Sequence, residues 1–187
     1  SDLDEVRKEV KRLIDENRTL VDEIRRRIEK LIRENKKKVE ELRKRAEELI
    51  RRLKEVADRD LKDKETLKRM VDRVLDEVRR LVEELREDSR DLERRVEELV
   101  RRLKDHSREL EREVRRLAKE LLDRLDKVRD VKRLLDDLKR LVKESLDETE
   151  RVLRELRKEV KDSLRDSERA LREVEDLVRR IKKRVEK

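Results

Sequence analysis

A histidine beside a serine, His106–Ser107, is where this sequence sets a nucleophile next to a general base. Acyl transfer by such a pair needs an imidazole to take the hydroxyl proton, a carboxylate to orient the ring and an oxyanion hole at a cleft. Neighbours in sequence point to different sides of a helix, and the chain has no glycine with which to shape a hole. One histidine and no cysteine cannot furnish a zinc set. The 53 acidic residues intermingle with 61 basic ones at surface phase, so carboxylate pairs read as solvated ion pairs rather than acid–base couples. No enzyme activity is expected, with no catalytic residue, no metal site and no cofactor.

The remaining polar residues at odd places follow a rule. Residues 81–92, LVEELREDSRDL, return 18 positions later as 99–110, LVRRLKDHSREL, and each copy carries a serine (Ser89, Ser107) on the apolar stripe. Asn17 and Asn35, the two asparagines of the chain, are also 18 apart, as are Thr149 and Ser167, and Ser145 and Ser163. Buried hydroxyl and amide groups at core positions specify how helices pair, at some cost in stability. That reading is favoured here over a binding site. Whether His106 and Asp88, which adjoin these serines, share in the polar levels is left open by the sequence.

The elements that must carry these residues are helices. Apolar residues recur at steps of three and four, as in Val6, Val10, Leu13, Ile14, Leu20, Val21 and Ile24, which makes one broad stripe. The chain lacks Gly and Pro, so nothing breaks a helix by residue type. Whole segments repeat with the same period: 16–32 returns as 34–50, and 142–160 returns as 160–178. Eighteen residues are five turns at 3.6 per turn, a period that asks for no supercoil, unlike a heptad repeat. Nearly straight helices are expected.

The stripe loses phase at 57–66, where Asp58, Asp60 and Asp63 crowd together, and again at 127–131. Asp63 and Asp130 are the expected N-caps of the second and third helices, and Ser1 or Asp2 that of the first. Helices over about 2–58, 63–127 and 130–187 result, with short connections that make neighbours antiparallel. If positions of the first and second helices sum to 124, and the third runs 132 ahead of the first, apolar layers emerge. Val10 then meets Val114 and Val142, Val21 meets Leu103 and Leu153, Leu42 meets Val82 and Val174, and Leu53 meets Val71 and Val185. The same arithmetic groups Asn17, Ser107 and Thr149 in one polar layer, and Asn35, Ser89 and Ser167 in another. The expected fold is all-α: a single-chain, antiparallel, up-down-up three-helix bundle forming one domain over 1–187.

The net charge of +8 is spread over the whole length and forms no basic face, so nucleic-acid binding is not expected. No apolar run approaches a membrane span and no signal-peptide core opens the chain. A soluble protein results, and its compartment is not readable. Without aromatic anchors, a lipid-surface role is also weak.

The chain resembles a computationally designed, parametrically generated helical bundle of the untwisted three-helix kind with 18-residue repeats. The resemblance rests on the 18-residue copies, the sparse alanines (Ala46, Ala57, Ala118, Ala170), the aromatic-free Leu/Val/Ile core and the Arg/Lys/Glu/Asp surface. It spans the whole length and departs from common design practice in having no glycine at helix ends. It implies a structural scaffold without selected ligand, substrate or required partner. Propensity, stripe, caps and layers all agree, so a hyperstable monomer is expected. The alternative function is a coiled-coil-like interaction or tethering module.

Overall fold

Strong helix formers at helical spacing, with no breaker between them, produce three long α-helices. The computed structural model describes the backbone of residues 2–59, 63–125 and 128–186, and the side chains of 2–56, 63–125 and 129–184. Helix α1 runs Asp2–Arg59, α2 Lys64–Arg124 and α3 Val128–Glu186. Together they form an all-α, antiparallel, up-down-up three-helix bundle. Among the described residues no backbone takes positive φ.

Asp63 caps α2. Its carboxylate accepts from the Glu65 N–H at 3.2 Å and from the Thr66 hydroxyl at 2.6 Å, and its carbonyl accepts from Leu67 N–H at 3.2 Å. The Glu65 bond satisfies a donor that the first turn cannot pair internally, and the bonds to the carboxylate hold it below its ordinary pKa, the Thr66 hydroxyl foremost.

The second junction differs from expectation. Helix α2 ends at Arg124, three residues early, and α3 begins at Val128, so Asp130 lies inside the first turn and is not the cap. A carboxylate there still faces the positive end of the helix dipole, and so its residue type alone could not separate the two positions. Asp2 likewise stands within the first turn of α1. Ser1, the Asp58 and Asp60 side chains, Asp126, Lys127 and the Val185 side chain lie outside the described residues.

Packing resolves into two compact units, each with a segment from every helix: Ser1–Glu29 with Arg95–Lys158, and Lys30–Arg94 with Glu159–Lys187. In the first, Val10, Val114 and Val142 share one cluster with Ile14, Leu110, Leu121, Leu134 and Leu138. In the second, Leu42, Val82 and Val174 share a cluster with Leu49, Leu75, Leu85 and Leu171. Each fully buried aliphatic side chain contributes on the order of 1.5–3 kcal/mol, so these stripes supply the driving force of both units.

Candidate functional site

The residues that interrupt the apolar stripe are the candidate site, and helix phase alone brings them inward. On α1, Asn17 follows Val10 and Ile14 at steps of four and three, and it is 0% exposed. Asn35 repeats that phase after Ile28 and Ile32 and is also buried. On α3, Ser145, Thr149, Ser163 and Ser167 are all buried. The two α2 serines, Ser89 and Ser107, are half-buried, less enclosed than a core layer requires.

In the first unit, Asn17 Nδ2 donates to Ser107 Oγ at 3.4 Å, which joins α1 to α2. Thr149 does not complete that pair; its hydroxyl donates to the Ser145 carbonyl, one turn back on α3, at 2.9 Å. In the second unit the Ser167 hydroxyl lies 3.1 Å from Asn35 Oδ1 and 2.9 Å from the Ser163 carbonyl, so its one proton has two acceptors. Ser89 Oγ has no hydrogen-bond partner among the described residues, nor do Asn17 Oδ1, Asn35 Nδ2, Ser145 Oγ and Ser163 Oγ. The hydrogen bonding at each level is therefore partial. The bonded pairs respect the sequence arithmetic: 17 and 107 sum to 124, and 167 is 132 past 35.

His106 and Asp88 sit beside these positions in different company. Asp88 pairs with Lys38, Nζ to Oδ2 at 3.3 Å, in a surface contact between α1 and α2. His106 lines an open groove of about 670 Å³ between Glu16, Thr19, Leu20 and Glu23 of α1 and Glu98, Arg101, Arg102, Asp105 and Glu109 of α2. Its Nδ1 is buried and unpaired among the described residues, so no carboxylate orients the ring through that atom. Ser107 Oγ is engaged by Asn17. The arrangement is not that of an activated nucleophile, whose base must touch the hydroxyl and be held in turn by a third group. Among the described residues no group of three or more His, Cys, Asp or Glu side chains is placed to hold a metal ion. Nor is any helix there long and apolar enough to cross a membrane.

The surfaces of the two units carry ion pairs of different reach. Arg12 pairs with Glu9 and Glu16, and Arg116 with Glu113 and Glu120, each along its own helix in the first unit. In the second unit Arg43–Glu173 at 3.1 Å, Arg45–Glu77 at 3.2 Å and Arg86–Glu175 at 2.8 Å link different helices.

No protein-family model matches the chain, and no curated protein matches it. Among solved structures it is similar to a protein described as a computationally designed three helix bundle. The two are 18% identical with a TM-score of 0.61, over 98% of this chain and 86% of that one. At this identity the likeness is one of fold.

Proposed function

We propose that this chain is a designed structural scaffold, a single bundle domain over residues 1–187 that works on no substrate and needs no cofactor or partner. Within it, Asn17, Ser107, Thr149, Asn35, Ser89 and Ser167 act by fixing the register of the helices. The observation that carries this is the pairing of each buried asparagine with a serine of another helix at the register position, Asn17 with Ser107 and Asn35 with Ser167. A net hydrogen bond contributes only about 0.5–1.5 kcal/mol, less than a buried leucine at the same place. A slipped helix, however, would leave these polar atoms among leucines at about 1–3 kcal/mol each. The likeness in fold to a designed bundle and the uniform aliphatic core support the scaffold reading. Helix axes within each unit are expected to cross near zero, not at the roughly 20° of supercoiled bundles.

The test replaces all six residues with Leu or Val. The unmodified chain should run as a 23.1 kDa monomer by light scattering and melt above about 90 °C. The six-fold variant should melt no lower and yet populate more than one oligomer or register. A variant that stays as uniform as its parent would remove the register role.

A further inference from the structure

Several buried polar atoms lack a hydrogen-bond partner among the described residues, and six of them belong to residues at or next to the two polar levels. Asn17 Oδ1, His106 Nδ1 and Ser145 Oγ belong to the first unit, and Asn35 Nδ2, Ser89 Oγ and Ser163 Oγ to the second. Each set takes one atom from each of the three helices. The four Asn and α3 Ser side chains in them are more than nine-tenths buried, and a buried polar group without a partner costs more than a made hydrogen bond returns.

Rotation of the hydroxyls cannot repair both levels. Ser145 and Ser163 could turn to their own helix carbonyls, as Thr149 does, but that leaves the asparagine atoms alone. Each carboxamide is planar and already held by one edge, Asn17 through Nδ2 and Asn35 through Oδ1. The free edge of Asn17 needs a donor and the free edge of Asn35 needs an acceptor. A small neutral group able to do both suits the two levels equally. Serine is also smaller than the leucine or valine that the stripe otherwise carries, and a water's share of liquid volume is only about 30 Å³.

We infer that each polar level binds an internal water, hydrogen-bonded to all three helices. In the first unit it donates to Asn17 Oδ1 and bridges His106 Nδ1 and Ser145 Oγ. In the second it accepts from Asn35 Nδ2 and donates to Ser89 Oγ and Ser163 Oγ. Three partners are the usual complement of a buried water.

Oxygen-17 magnetic relaxation dispersion on the full chain tests this, beside the variant Asn35→Leu/Ser89→Ala/Ser163→Ala. The parent should show long-lived water, and the variant should lose about half the dispersion amplitude because only its first-unit water remains. A parent without dispersion, or a folded variant with undiminished amplitude, overturns the inference. Should the variant fail to fold, water-to-side-chain cross-peaks at the Asn35 Nδ2 protons of the parent decide, and their absence is fatal. The register role is read separately: a variant of loosened register with full dispersion would remove the water and leave that role standing.

Discussion

The two units carry matching polar residues at the same phase, save Thr149 against Ser167, and bond them differently. In the first, the buried asparagine donates across to α2, at Ser107. In the second, it accepts from α3, at Ser167, and Ser89 on α2 is left unpaired among the described residues. Their surfaces differ as well: Arg12 and Arg116 pair along their own helices, whereas Arg43 and Arg45 add a cross-helix partner to such a pair and Arg86 reaches across to α3. The aliphatic clusters of both units draw on all three helices. Apolar packing follows from phase, which the repeat copies, and it accepts changes of volume such as Val10, Ile28 and Ala46 at one phase. Hydrogen bonding follows from which edge of an amide is presented, which the repeat does not determine.

The largest effects should therefore be the same in both units. Leu103 in the first and Leu171 in the second are 0% and 1% exposed. Truncation to alanine should cost about 2–5 kcal/mol at either place, since both leave a cavity among rigid neighbours. Denaturant titration of Leu103→Ala and Leu171→Ala would show it, as equal downward shifts of a single transition. A loss confined to one variant, or two separate transitions, would break the equivalence of the apolar lattices and the single-domain proposal with it.

Smaller, and different between the units, are the couplings at the polar levels. Double-mutant cycles should give about 0.5–1.5 kcal/mol for Asn17/Ser107 and for Asn35/Ser167. Asn17/Thr149 should couple near zero, because Thr149 bonds its own helix. Asn35/Ser89 should fall between, carried only through the inferred water. Equal coupling of each asparagine to both other helices would erase the distinction between the levels.

These contrasts mark what sequence could reveal. The shared 18-residue phase of Asn17 and Asn35 was enough to turn both inward, because helical azimuth depends only on residue number. The choice of partner was hidden, since a carboxamide offers a donor or an acceptor with equal ease. Asp63 was readable as a cap because it is the last of the aspartates that crowd at a phase break, just before the apolar stripe resumes. Asp130 misled because an acid serves a helix N-terminus equally well one turn inside it. Asp88 adjoins a core serine in sequence yet pairs with Lys38, for one residue along a helix is about 100° around it.

The smallest expected effect separates the units by the nature of their exposed carboxylates. In the first, Glu9 and Glu113 are held below the ordinary carboxylate range foremost by hydrogen bonds from Arg12 and Arg116. In the second, Asp63 is held low by the neutral Thr66 hydroxyl and by backbone N–H groups. All three are lowered in the folded state. Their stabilisation is thus fully present above the unfolded pKa and is lost as pH falls through the lower, folded one. Carboxyl carbon shifts followed by NMR should place all three midpoints below those of unfolded peptides. Salt then distinguishes them. Near 1 M the screening length is about 3 Å, so the ion-paired Glu9 and Glu113 should titrate closer to the ordinary range, whereas the uncharged donors of the cap should hold Asp63 where it was. Arg12→Gln and Arg116→Gln should reproduce the salt effect on their own partners and leave Asp63 unmoved. A midpoint for Asp63 that rises with salt as far as those of the glutamates would mean that charge, and not the cap, lowers it.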